Sequence, residues 1–358
     1  MPTVAELWKN INSRLEDGRD GETGPAGAPG PFKGEFRFDE PLAAHTTFRV
    51  GGPADLWVRP RAEEFAALAA LLLEAAGEAE IPVYVLGAGA NLVVADRGIR
   101  GVTLDTTALT GLVPPPNQGA GSAEEGPAGN DPGGNVLRFR AGTAADDAAE
   151  EAARRGLGGL DFLAGMPGTL GGALWMNARC YGGEMADAAV EAVYLERPPG
   201  PRTPESPAAA RRILKLRKED FGYKTSPFQG REGIILEAAF ALRKSDPPLI
   251  RETMAAHRRD REEKGQYRFP SAGSVFKNNR AFGKPAGKII DELGLRGLSA
   301  GDAQVAPWHG NIIINRGKAR AADIKALTET LEERVFAALG LKLEREVLFA
   351  GDWTGPGD

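Results

Sequence analysis

The segment Val83-Tyr84-Val85-Leu86-Gly87-Ala88-Gly89-Ala90-Asn91-Leu92 constrains the fold of this chain more than any other. An apolar run leads into a turn of small residues, where backbone N–H groups can approach a pyrophosphate because no side chain obstructs them. The third glycine of a dinucleotide-binding G-x-G-x-x-G turn is replaced by Leu92, and Leu92-Val93-Val94 reads on as strand rather than helix. A Rossmann fingerprint is therefore excluded. Taken alone, the segment fits a tight structural turn as well as a phosphate loop.

Around it, short β-rich runs at residues 83–86, 102–104, 136–140, 189–195, 213–216 and 234–242 alternate with helical patterns. That texture predicts an α+β or α/β chain. Residues 63–78, rich in Ala and Leu, and residues 144–155, ended by Gly156, read as helices of the scaffold. After Ser245-Asp246 the pattern changes to a charged amphipathic helix at 249–264, a loop, and helices at 286–293 and 321–339, a candidate third domain. A length of 358 residues suits two or three packed units of about 100 to 150 residues each. Stretches 17–34, 113–135 and 198–210 have the composition of irregular chain and read as surface excursions, the first of them a flexible leader.

Bulk properties exclude several classes. With 44 basic against 49 acidic residues the net charge is −5, so no broad cationic face suits nucleic acid or an anionic membrane, and phosphate recognition must be local. Cys180 is the one cysteine, which rules out an intramolecular disulfide and fits a reducing compartment. The three histidines, His45, His257 and His309, are scattered, so no structural metal is expected. Acid and amide groups interrupt residues 1–15, unlike a signal peptide, and no later stretch approaches the 18 or so apolar residues of a membrane span. The expectation is a cytoplasmic protein without membrane insertion.

A second glycine-rich segment covers residues 164–173. Pro167 and Thr169 stand where a short helix can begin, flanked by Gly168, Gly171 and Gly172, and exposed N–H groups at a helix start favour anions. Two such loops could grip both ends of one dinucleotide; close backbone packing around the glycines accounts for either loop equally well. In Pro270-Ser271-Ala272-Gly273-Ser274-Val275-Phe276-Lys277-Asn278-Asn279, small and polar residues crowd before an apolar pair. No G-x-S-x-G elbow is present, so hydrolase chemistry is not indicated, and local chemistry alone reads a surface turn. Residues 343–349 alternate as a strand, with Glu344 and Glu346 on one face and Leu343, Arg345 and Val347 on the other.

Taken in order, and together with His45-Thr46-Thr47-Phe48-Arg49-Val50-Gly51-Gly52, Phe221-Gly222-Tyr223-Lys224-Thr225-Ser226-Pro227-Phe228 and Gly283-Lys284-Pro285-Ala286-Gly287-Lys288-Ile289-Ile290, these segments resemble the UDP-N-acetylenolpyruvoylglucosamine reductase (MurB) family from about His45 onward. The resemblance implies an α+β chain with a FAD-binding half of the vanillyl-alcohol-oxidase (PCMH) type, in two subdomains, and an α+β substrate-binding domain. The boundaries expected are a flexible leader at 1–34, FAD-binding subdomains at 35–106 and 107–245, the latter joined by 341–358, and a substrate-binding domain at 246–340. The short span from 242 to 274 matches the compact subtype that lacks a tyrosine-bearing loop insertion.

The implied activity is an oxidoreductase step of peptidoglycan precursor synthesis, hence of cell-wall biogenesis, cell shape and cell division. NADPH reduces the flavin, and an enolpyruvyl UDP-sugar takes the hydride at its terminal vinyl carbon. Carried residue by residue, the family pattern makes Ser274 the proton donor to the adjacent carbon and Glu346 the carboxyl partner of the enol. It assigns Gly87, Ala88, Gly89, Ala90, Asn91, Gly168, Thr169, Gly171 and Gly172 to FAD, and Tyr223, Lys264, Lys277 and Asn278 to the substrate pocket. Two positions depart from the pattern. Lys224 stands where the family has arginine, a point charge in place of a planar fork, and Arg179 stands where the family usually has glycine. Lys224 is expected to keep the electrostatic role, and Arg179 to compensate for it or to face solvent. The competing readings are another FAD-dependent oxidoreductase of the same superfamily, which should lack the Ser274 and Glu346 segments, and a flavin-binding protein without turnover.

Overall fold

A computed structural model describes residues 3–17, 31–114, 135–197 and 209–355. In chain order they form helix α1 (Val4–Asp17), strands β1 (Glu35–Pro41) and β2 (Pro53–Arg59), helix α2 (Phe65–Glu78), and strands β3 (Val83–Leu86), β4 (Leu92–Val94) and β5 (Ile99–Asp105). Next come β6 (Val136–Arg140), α3 (Ala145–Arg154), α4 (Leu170–Trp175), β7 (Ala189–Glu196), β8 (Ala210–Lys215) and β9 (Gly233–Ala241). Helices α5 (Pro247–Glu263), α6 (Ala286–Glu292) and α7 (Ala321–Leu339) and strand β10 (Leu348–Ala350) follow, with shorter pieces between. The two larger sheets run in the orders β1-β2-β5-β3 and β8-β7-β9-β6.

The chain divides into two compact units that interleave along the sequence. The first takes Met1–Arg37, Trp57–Gly87 and Val102–His257; the second takes Phe38–Leu56, Ala88–Gly101 and Arg258–Asp358. This division cuts across the boundaries expected at 106, 245 and 340, because residues distant in sequence pair within each unit.

In the first unit, β7 lies centrally in the antiparallel sheet, with Ala192 opposite both Leu214 and Ala238. Its burial on both faces matches its run of Ala, Val, Tyr and Leu. Helix α3 buries Ala145, Ala148, Ala149, Ala152 and Ala153, an i, i+3, i+4, i+7, i+8 stripe of small side chains that permits close approach. Asp146 and Asp147 in its first turn and Arg154 in its last complement the helix dipole. In the second unit, Phe48, Val93, Phe276, Ile290, Ile324 and Leu331 share one core. Helix α7 starts where the Asp96 carboxylate accepts the N–H groups of Ala321 and Ala322 at 2.9 and 3.0 Å. The last strand, β10, returns to pair in parallel with β4, placing Phe349 opposite Val93.

Two sequence-based expectations need correction. Residues 4–17 of the expected leader are helical, and α1 buries Leu7, Trp8, Ile11 and Leu15, with Trp8 packed edge-on against Phe32 at 5.2 Å. Residues 343–349 do not form a continuous strand: β10 covers only Leu348–Ala350, and Arg345 makes an isolated bridge to Phe276. Most residues of the expected irregular stretches, namely 18–30, 115–134 and 198–208, lie outside the described residues. Among the described residues no helix is long and apolar enough to cross a membrane.

Candidate functional site

In the first unit the end of β3 meets the second glycine loop. A Cβ on Gly87 would stand 2.5 Å from Oγ1 of Thr169, so only glycine fits there. Thr169 is the N-cap of α4, and its hydroxyl accepts the Gly172 N–H at 3.3 Å. The loop before it is stitched to the start of α3: Ala145 donates to Gly168 O at 3.0 Å and Leu170 to Thr143 O at 2.8 Å. Among the described residues the backbone N–H groups of Gly87, Ala88, Gly89, Ala90 and Asn91 donate to no backbone carbonyl through turn or loop hydrogen bonds. Gly87 and the Thr169 N-cap thus stand side by side within the first unit, while the turn from Ala88 to Asn91 belongs to the second. Tyr84, three residues before the turn, is pushed up to about 12 by burial and stays neutral at ordinary pH.

Lys224 lies on a two-residue turn in the same unit. Gly222 and Thr225 exchange backbone hydrogen bonds at 3.1 and 3.2 Å, and Lys224 takes a left-handed conformation with φ +59°. Asn177, itself buried with φ +44°, donates to Gly222 O at 2.8 Å and accepts the Ala186 N–H at 3.0 Å. Gln229 Nε2 donates to Lys224 O at 3.2 Å and to Trp175 O at 3.0 Å. The turn is thus held from two sides, while Tyr223 beside Lys224 is exposed. Arg179 is exposed and lies 4.0 Å from the Glu184 carboxylate, which fits the solvent-facing alternative. Cys180 donates its Sγ–H to Phe162 O at 2.9 Å, a packing role.

Ser274 and Glu346 belong to the second unit, on neighbouring segments. Ser274 bridges Ile312 on one side, and Val275, the next residue, accepts the Glu346 N–H at 2.7 Å on the other. Both Ser274 and Glu346 are half-buried. Asn91 fixes the latter segment, donating from Nδ2 to Glu346 O at 3.0 Å and accepting the Leu348 N–H at 3.1 Å. Gly89 meets the His45–Thr47 segment so closely that a Cβ would lie 2.3 Å from His45 O, and its φ of +57° also favours glycine. Asn311, 3 % exposed, accepts the Phe276 N–H through Oδ1 at 2.9 Å and donates from Nδ2 to Phe276 O at 2.8 Å.

The substrate-pocket candidates of this unit are placed less uniformly. Lys277 pairs with Glu344, and Asn278 accepts the Ala286 N–H at 2.9 Å at the start of α6. Lys264 is exposed and pairs with Asp260 at 2.7 Å. Its charge nevertheless reaches His309: burial first, then repulsion from Lys264 and Arg296, holds that imidazole below its ordinary pKa.

Comparison with known proteins decides what these arrangements belong to. A family model for the FAD binding domain matches residues 57–195, and one for the C-terminal domain of UDP-N-acetylenolpyruvoylglucosamine reductase matches residues 265–350. The UDP-N-acetylenolpyruvoylglucosamine reductase of Treponema pallidum (strain Nichols) is 39 % identical over 349 residues, covering 88 % of this chain and 94 % of its own. The chain belongs to the UDP-N-acetylenolpyruvoylglucosamine reductase family. The reductase of Phenylobacterium zucineum is also 39 % identical over 320 residues, covering 88 % of this chain and 95 % of its own. The crystal structure of the Thermus caldophilus reductase superposes with a TM-score of 0.64 at 31 % identity, covering 89 % of this chain and 99 % of that one. The α+β class with a FAD-binding part, expected from the sequence, stands.

Within this reductase family frame, both glycine loops fall in the FAD-binding match, and Ser274, Lys277, Asn278 and Glu346 fall in the C-terminal match. Tyr223 and Lys224 lie between the two matches, and Lys264 lies just before the second. Sequence reasoning missed Asn177, Gln229 and Asn311. Each is a polar side chain next to an apolar or aromatic residue or a glycine, and each bonds backbone more than five residues away, which leaves no local pattern to read.

Proposed function

We propose that this chain catalyses the NADPH-dependent, FAD-mediated reduction of UDP-N-acetylglucosamine enolpyruvate to UDP-N-acetylmuramate, a step of peptidoglycan precursor synthesis carried out in the cytoplasm. Bound FAD supplies the relay of hydride from NADPH to the terminal vinyl carbon of the substrate. The residues do the rest. Gly87 to Asn91 hold the dinucleotide through backbone N–H groups, and Gly168, Thr169, Gly171 and Gly172, the last two already donating to Ala141 O and Thr169 Oγ1, give it a surface of small residues. Ser274 Oγ–H gives its proton to the carbon next to the one that takes hydride, and is reprotonated from water. Glu346 offers its carboxyl to the enol oxygen, and the Lys224 ammonium balances charge developing on the substrate carboxylate. Tyr223, Lys264, Lys277 and Asn278 complete the pocket for the UDP-sugar.

The observation that carries this reading is the bond from Glu346 N–H to Val275 O at 2.7 Å, which keeps the proton donor and the carboxyl partner on adjacent segments of one unit. A flavin oxidase of the same superfamily has no need of that pair. The test is stopped-flow absorbance of the yellow protein, reduced anaerobically with NADPH and mixed with the enolpyruvyl UDP-sugar. Rapid return of the oxidised spectrum with formation of UDP-N-acetylmuramate is expected. Persistent reduced flavin would point to another acceptor or to binding without turnover.

A further inference from the structure

We infer that Asn311 is the positioning residue for Ser274. Its carboxamide offers Phe276 both an acceptor and a donor, at 2.9 and 2.8 Å, so one side chain does for Phe276 what a paired strand residue would do. Its own carbonyl accepts the Val275 N–H at 2.9 Å. Across the segment, Val275 O accepts the Glu346 N–H at 2.7 Å, and the Lys277 N–H donates to Glu344 O at 2.8 Å. The chain from Ser274 to Lys277 is therefore held on both edges, although among the described residues its β-bridges are only the isolated ones at Ser274 and Phe276. Ser274 is one residue from the start of this clamp, with the exposed Gly273 at φ +70° before it. Without the Asn311 carboxamide, the Phe276 N–H and carbonyl lose these partners, which loosens one edge of the segment that sets the Ser274 position.

A further observation supports a tuned rather than a merely filled position. Asn311 is 3 % exposed, and its backbone N–H donates to Nδ1 of His309 at 3.1 Å, so the carboxamide is anchored from its own backbone as well as from Phe276. A serine is a weak acid and works only if its hydroxyl is placed to within a fraction of an ångström, which makes such an anchor consequential.

The inference rests on the proposed role of Ser274, and its test separates the two. Asn311→Ala removes the clamp; Asn311→Leu removes both hydrogen bonds at nearly constant volume. In each, reoxidation of the NADPH-reduced protein by the enolpyruvyl UDP-sugar should slow by on the order of 10- to 100-fold. FAD content and the rate of reduction by NADPH should stay at the wild-type level, and the Phe276 amide should exchange hydrogen faster. In a Ser274→Ala background Asn311→Ala should have no further effect on reoxidation. Equal slowing with or without Ser274, wild-type reoxidation, a parallel loss of NADPH reduction, or loss of FAD from both variants would each overturn the proposal. Failure of the wild-type protein to be reoxidised by this substrate would instead remove the reading on which it rests.

Discussion

Lys224 separates charge from conformation. Its left-handed backbone, φ +59°, costs an L-residue about 1 to 2 kcal/mol, and alanine or arginine would bear the same strain. Neither Lys224→Ala nor Lys224→Arg relieves that strain, so any change in stability should come from the half-buried side chain alone and stay within about 0.5 to 3 kcal/mol. Their activities should diverge. Loss of the ammonium should slow flavin reoxidation by on the order of 100- to 1000-fold, whereas Lys224→Arg, which puts a planar fork in place of the point charge, should match or exceed the native rate. Stopped-flow reoxidation beside thermal melting checks both; an unimpaired Lys224→Ala would remove Lys224 from the site. At this scale the segments that carry Ser274, Glu346 and both glycine loops were legible as family motifs, since they fall within the two matched domains. Asn177, Gln229 and Asn311 were not, because a side chain that bonds backbone dozens of residues away leaves no local pattern.

Strands and helices carry the stability predictions. In β7, Glu191 is fully buried and pairs with Arg138 on β6 and Lys215 on β8. Burial, the largest influence, pushes its carboxyl up, but hydrogen bonds and charge from Lys215 and Arg138 outweigh it and hold the pKa below the ordinary value. A depressed carboxylate stabilises the fold above its unfolded pKa, and that contribution is lost as pH falls through the folded value. Glu191→Gln should lower stability by about 1 to 3 kcal/mol at pH 7, with the gap to wild type closing below about pH 4 in melts across pH. In α1, Trp8 is 3 % exposed, so Trp8→Ala should cost about 3 kcal/mol in denaturant unfolding; a dispensable leader would tolerate it. The helix was missed because the Gly/Pro-rich run after it dominated the reading, although Leu7, Trp8, Ile11 and Leu15 keep helical spacing. The opposite error occurred at 343–349. Alternation there is real, but a strand also needs a ladder, and only Leu348–Ala350 finds one.

At the scale of the whole chain, a ligand that binds only the folded state adds stability as the logarithm of its concentration. Protein stripped of FAD should melt lower, and readdition at 100 times the dissociation constant should restore about 2.7 kcal/mol; an unshifted melt would argue that the glycine loops do not hold the dinucleotide. The α+β class and most element positions were legible because periodicity is local. The division into units was not, since residues 88–101 join 258–358 through pairings that no linear scan reveals. That interleaving matters most while the protein is being made. Val93 leaves the ribosome well before its strand partner Phe349, which lies most of the chain further on. At about 5 to 20 residues per second the gap is on the order of 10 to 50 s, during which β4 and the core residue Phe48 await partners not yet translated. The second unit thus closes late in synthesis, and nascent chains interrupted before β10 are the species that chaperones and proteases should meet.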